Sequence, residues 1–262
     1  EFPCPWFNLL CQPCLAGFGR ITIISIFGWI NHPHMKFGIL TFPGVHGDRE
    51  LKYILEEIFH ISVEFIWYKD KGPFRVAAVL VPAGFPCSPQ QNAFDCHAAI
   101  PAMEALHTFA EQGKYVLGLG NGFQALCQSG LLPGMLRTND SDRFLCRYVY
   151  IKPDNDYIAL THDLNSEHAY RIPLATYIGQ YSATEEELRK MRLENQIVFR
   201  FCDPYGRITE SVNYTGSVDN IAAVCNQRKN VFGMIPLPER AVIYNEGFGD
   251  GKEILESFIS FL

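Results

Sequence analysis

Apolar positions in this chain fall into two patterns. Lys36–Thr41, Ile61–Tyr68, Arg75–Val81 and Tyr115–Leu119 are short, nearly continuous apolar runs with the length and β-branched content of buried strands. Between them, Arg49–His60 and Cys96–Gln112 carry apolar residues three and four apart, which predicts helices with one face toward a core. Alternation of such helices with strands as continuously apolar as Val76–Val81 implies a parallel sheet covered on both faces. Its functional edge lies at the C-terminal ends of the strands. Later runs, Phe144–Ile151, Ile197–Cys202, Ile221–Cys225 and Val231–Ile235, predict strands of a mixed extension, and Gly251–Phe258 predicts a closing helix.

The stretch Tyr115–Leu136, YVLGLGNGFQALCQSGLLPGML, stands apart. A strand ends at Leu119, glycines at 118, 120 and 122 force a sharp turn, and Asn121–Ser129 predicts a helix closed by Gly130. Strand, tight turn and helix form the geometry that lifts one side chain above the edge of a parallel sheet. Gly120 occupies that point. A dinucleotide loop of the form G-x-G-x-x-G would need glycine at Phe123, and Asp140 and Asp142 lie in a polar, loop-like segment instead of at the end of a second strand.

These residues closely resemble the glutaminase subunit of formylglycinamide ribonucleotide amidotransferase, the PurQ family of class I glutamine amidotransferases. That family's elbow reads V-L-G-I-C-N-G-F-Q, followed by G-L-L-P-G, and its cysteine falls on Gly120. Its second signature, G-M-M-P-H-P-E-R, aligns with Gly233–Arg240, so the general-base histidine is replaced by Leu237 while the orienting acid, Glu239, is kept. A third, I-P-I-A-H-G-E-G-x-Y, aligns with Ile172–Tyr181 and puts Thr176 and Ile178 where the family has histidine and glutamate. The family's P-G-G-F oxyanion segment appears as Pro82-Ala83-Gly84-Phe85. Phe42-Pro43-Gly44 with Asp48, Gly216-Ser217 with Ile221-Ala222, and Asn230-Val231 keep the same register, and the resemblance spans about Met35 to Leu262.

The resemblance implies a flavodoxin-like α/β fold with a mixed, mainly parallel sheet, a cytoplasmic location, and no cofactor or metal. It also implies a PurL-type synthetase subunit as partner, which consumes ATP and ammonia in purine biosynthesis. The family hydrolyses glutamine with a thiolate, a histidine base and an orienting carboxylate. Here Gly120 presents only hydrogen where sulfur must attack, and Leu237 cannot carry a proton to the leaving ammonia. Losing members of such a unit removes ~10⁴ to 10⁶ in rate. The expectation is therefore a docking or regulatory subunit without glutaminase activity. Two alternatives are a hydrolase using other residues and a sensor that binds a glutamine-like ligand without turnover.

Ala83 leaves a backbone N–H donor in place unless its turn requires a positive φ. A glycine at 120 relieves a strain of ~1–3 kcal/mol that an elbow nucleophile carries. Asn121 and Gly122 would keep the turn itself, while Thr176 and Ile178 are expected to shape the pocket or the subunit contact.

With 48% hydrophobic residues, 19% charged and a formal net charge of −6, the chain can bury a sizeable core and has no basic excess to favour nucleic acid. Residues 35–262 suit one domain. Residues 1–34 are expected to be a leader outside the core, with Met35 as the natural start: the apolar run Ile21–Ile30 is too short to span a bilayer, and Glu1 and Asn31-His32-Pro33-His34 are unlike the ends of a signal peptide. A hydrophobic anchor there is the minor reading.

Nine cysteines are scattered, and Cys11-Gln12-Pro13-Cys14 lacks a second pair at zinc-site spacing, so free thiols in a reducing compartment are expected. Cys127 lies two helical turns beyond the elbow, too far to replace the nucleophile. Glu104, His107 and Glu111 share a helix face without the second helix that a di-metal site needs. His162 and His168 are expected at the surface.

Overall fold

A computed structural model of the chain describes residues 35–84, 100–244 and 247–262. Residues 1–34, Phe85, Cys87 and the first residues of the helix expected from Cys96 lie outside them.

In chain order the strands are β1 (Lys36–Thr41), β2 (Ser62–Trp67), β3 (Ala78–Val81), β4 (Tyr115–Leu119), β5 (Met135–Arg137), β6 (Leu145–Pro153), β7 (Tyr170–Thr176), β8 (Gln180–Ser182), β9 (Ile197–Cys202), β10 (Ile221–Cys225) and β11 (Val231–Met234), followed by the short pair β12 (Ile243–Tyr244) and β13 (Gly247–Phe248). The helices are α1 (Asp48–Tyr53), α2 (Pro101–Glu111), α3 (Asn121–Gln128), α4 (Glu185–Leu193) and α5 (Asp250–Ser260).

Nine strands form one sheet in the order β2-β1-β3-β4-β11-β10-β9-β6-β7. From β2 to β11 neighbours run parallel; from β11 to β7 they run antiparallel. The sheet is therefore the expected mixed one, with β4 between two parallel neighbours. Every residue of β3, β10 and β11 is buried, which is why these segments read as unbroken apolar runs. Val116 and Leu117 of β4 lie at the centre of that core, against Val79, Leu80, Val231 and Phe232 across the ladders.

The structure adjusts several expected elements. Ala78 opens β3, three residues after the start predicted at Arg75. The helix expected over Arg49–His60 is α-helical only to Tyr53 and continues as a π-helical turn, Ile54–Ile58, ended by His60 at φ 54°. The edge strand β7 was not expected. Pro173 disguises it, and proline is tolerated there because an edge strand can dispense with one ladder N–H. Helix α4 was also unforeseen, because only Leu188 and Met191 of EEELRKMRL are buried. Its start carries a readable signal all the same: Thr184 accepts from the Glu187 N–H while the Glu187 carboxylate accepts from the Thr184 N–H, a capping box.

Candidate active site at the elbow between β4 and α3

Gly120 caps the N-terminus of α3 with φ 53° and ψ −116°, a conformation that L side chains adopt only under strain. Its N–H donates to the Met234 carbonyl at 2.8 Å and its carbonyl accepts from the Phe123 N–H at 3.1 Å, so both neighbouring elements hold the turn. Gly122 lets α3 approach β3 at backbone distance, since a Cβ there would lie 1.9 Å from the Val81 carbonyl oxygen. The elbow backbone is thus held from both sides, and its apex residue is a glycine.

Two methyl groups face the side-chain position of Gly120. A Cβ on Gly120 would stand 3.2 Å from Ala83 Cβ and 3.2 Å from Leu237 Cδ2. The three positions singled out in the sequence as oxyanion segment, nucleophile and base therefore meet in space. Ala83 is not among the positive-φ residues of the described chain, so its methyl costs the turn nothing and its backbone N–H is retained. Its carbonyl accepts from the N–H groups of His46 at 3.0 Å and Gly47 at 3.3 Å, and Gly84 bridges to Val45, which fixes this segment against the loop after β1.

Leu237 is buried, and its N–H donates to the Pro173 carbonyl of β7 at 2.8 Å. Glu239, only 2% exposed, is the second residue of the short 3₁₀ turn Pro238–Ala241 that Leu237 caps. Neither of its carboxyl oxygens has a hydrogen-bond partner. It belongs to the elbow cluster: a Cβ on Gly47 would lie 3.8 Å from Glu239 Oε1 and 3.7 Å from the Ala83 backbone nitrogen. Burial pushes its pKa up to about 8; its own backbone amide and Arg240 act in the lowering direction, and Glu50 in the raising one. Burial thus favours the neutral form of this carboxyl group near pH 7.

The remaining expected site residues are less central. Thr176 ends β7, buried, with its carbonyl accepting from Asn139 Nδ2 at 2.9 Å and its hydroxyl unpartnered. Asn139 Oδ1 in turn accepts from the Gly179 N–H at 3.0 Å, so the hydrogen bond of the Thr176 carbonyl ties the end of β7 to this polar loop. Asn121 makes one long contact, Nδ2 to Gln124 Oε1 at 3.5 Å. Ile178 is half-buried against the core.

Other chemistry-bearing residues resolve into structural roles. The Cys127 thiol is buried in α3, donates toward the Pro133 carbonyl at 3.6 Å, and has its pKa raised by desolvation, the opposite of what a nucleophile needs. Cys202 and Cys225 are also buried and free, whereas Cys146 is free and exposed. His107 Nε2 lies 2.7 Å from the Ser129 carbonyl, tying α2 to the end of α3.

One constellation escaped sequence reasoning because its parts are far apart in the chain. His162 Nδ1 lies 3.0 Å from Ser257 Oγ, and His162 Nε2 lies 3.1 Å from Asp163 Oδ2. It is a tether for α5 and not a triad: Ser257 is completely buried and its hydroxyl donates to the Ala159 carbonyl at 3.1 Å.

A mixed nine-stranded sheet with an elbow at the C-terminal end of β4 defines a domain of the class I glutamine amidotransferase fold. The family model of the CobB/CobQ-like glutamine amidotransferase domain matches residues 34–246, and the chain belongs to that family, in its PurQ branch. It is 41% identical over 226 residues to phosphoribosylformylglycinamidine synthase subunit PurQ of Aquifex aeolicus, covering 86% of this chain and 100% of that one. To the PurQ subunit of Koribacter versatilis it is 36% identical over 225 residues, covering 86% and 97%. Among solved structures it is similar to a chain of PurLQS from Thermotoga maritima, with a TM-score of 0.74, 28% identity, and coverage of 87% of this chain and 98% of that one. No helix among the described residues is long and apolar enough to cross a membrane.

Proposed function

We propose that this chain acts in purine biosynthesis as the PurQ-type subunit of a cytoplasmic phosphoribosylformylglycinamidine synthase, and that it docks on a PurL-type synthetase subunit without hydrolysing glutamine. The similarity to PurQ over nearly the whole length of those proteins, and to a chain of the PurLQS structure, supports the subunit role. The observation that carries the loss of glutaminase activity is the elbow itself, with Gly120 facing the methyl groups of Ala83 and Leu237.

Glutamine hydrolysis at such an elbow requires a thiolate to attack the side-chain amide carbon and a base to relay a proton to the departing ammonia. Position 120 holds no nucleophile, position 237 holds no base, and Glu239 is a neutral acid with nothing to orient. Retained oxyanion donors stabilise a tetrahedral intermediate only if one forms. Ammonia for the partner then comes from solution, and this chain serves to complete or regulate the complex.

The test is reconstitution with the cognate synthetase subunit, followed by ATP-dependent amidine formation with ammonium salt or with glutamine as nitrogen donor. The expected result is a stable complex on size-exclusion chromatography that works with ammonium and not with glutamine. Glutamine-supported turnover, or no complex at micromolar concentration, would overturn the corresponding half of the proposal.

A further inference from the structure

The two methyl groups facing Gly120 are not equivalent obstacles. Both stand 3.2 Å from the position of a Cβ at 120, inside the 3.5–4.0 Å that carbon atoms prefer. Leu237 Cδ2 is the end of a side chain with two rotatable bonds and can swing away. The Ala83 methyl has no torsion that moves it, so it yields only if its backbone yields. That backbone is held on several sides: the Ala83 carbonyl accepts two N–H bonds from His46 and Gly47, and Val81 lies within the β3 ladder between β1 and β4. Gly84 sits so close to the Phe42 ring that a Cβ there would be 2.7 Å from Phe42 Cε2. Retreat of the elbow is blocked as well, because Gly122 already lies against the Val81 carbonyl.

We infer that Ala83 is a positioning residue that closes the nucleophile's space: a side chain at 120 is forced off its reactive geometry while Ala83 is present, whatever occupies 237. The inference rests on the reading of this site as one without a nucleophile, and deepens it by naming the residue that keeps it closed. Replacing Gly120 and Leu237 alone would then restore the atoms of the reaction without room to align them, and near-attack geometry is what such sites depend on.

The experiment compares full-length Gly120→Cys/Leu237→His with the triple variant that adds Ala83→Gly. Alkylation of the introduced thiol by iodoacetamide is followed by peptide mapping across a pH series, alongside ammonia release from glutamine. The triple variant should alkylate about tenfold faster at neutral pH, with a profile shifted to lower pH, and should alone release ammonia above a buffer blank. Equal reactivity and equal pH profiles in the two variants would overturn the role given to Ala83. Ammonia release by the unsubstituted chain would instead overturn the underlying reading, so the two failures are distinct.

If the cysteine variants do not fold, Gly120→Ala with and without Ala83→Gly provides the same test through thermal midpoints. Ala83→Gly should recover part of the loss caused by Gly120→Ala although it lowers the midpoint in the unsubstituted chain. Simple additivity of the two effects would contradict the inference.

Discussion

Glu239 shows how burial without a hydrogen-bond partner changes the chemistry of a carboxyl group. Burial this deep, with neither oxygen hydrogen-bonded, favours the protonated form of the carboxyl group. Its folded pKa of about 8 lies above the ordinary value of 4.5, so its contribution is fully present below pH 4.5, declines as pH rises toward about 8, and is gone beyond that. At about 1.4 kcal/mol per pH unit, the upper bound on that loss is a few kcal/mol. Replacing it with an apolar side chain of similar length removes the penalty. Glu239→Met is expected to raise the thermal midpoint above that of the unsubstituted chain at pH 8, with the gap shrinking toward pH 5. A gap independent of pH would mean that Glu239 is ionised or partnered.

Thr176 offers a milder case: its buried hydroxyl has no partner, so Thr176→Val should be neutral or stabilising by up to about 1 kcal/mol in chemical denaturation. A clear loss of stability would show that the hydroxyl is in use.

At the scale of elements, α3 owes its position to the absence of a side chain at 122. Gly122→Ala places a Cβ 1.9 Å from the Val81 oxygen, and α3 would have to leave β3 to accept it. The expected cost exceeds about 4 kcal/mol, seen as loss of soluble protein or of a cooperative melt. Gly130, at the other end of the same helix, has φ 77° but nothing within 4 Å of an added Cβ, so Gly130→Ala should cost only about 1–2 kcal/mol. Comparable losses from the two substitutions would contradict this packing.

The same scale sets what the sequence could reveal. Strands β1, β4, β9 and β10 were legible to the residue because burial on both faces leaves a nearly continuous apolar run, broken inside β9 only by Arg200. Helix α4 was not, since its exposed face supplies most of its residues, and β7 was hidden by Pro173 at a sheet edge. The π-helical turn over Ile54–Ile58 has the same apolar spacing as an ordinary helix and cannot be told from one by pattern.

Across the whole molecule, the register of short motifs placed positions 83, 120, 237 and 239 in one site, and the sheet brings them together at the C-terminal end of β4 although 156 residues separate the first from the last. What the motifs could not reveal is how those positions touch. The approach of the Ala83 methyl to position 120, the lack of a hydrogen-bond partner at the Glu239 carboxyl and the bond from Asn139 to the Thr176 carbonyl all depend on distances that no spacing encodes. The His162 tether to α5 joins residues 95 apart and carries no local signature.

If the glutamine amidotransferase fold persists here without its chemistry, as proposed, the chain releases no ammonia from glutamine. The most direct measurement is ammonia release from glutamine by the purified full-length chain, alone and mixed with the cognate synthetase subunit, using a coupled glutamate dehydrogenase assay. Both samples are expected to match the buffer blank at every pH from 6 to 9, because no group at 120 or 237 gains a nucleophile or a base over that range. Sustained release that follows this chain through repurification and disappears with its depletion would contradict the account.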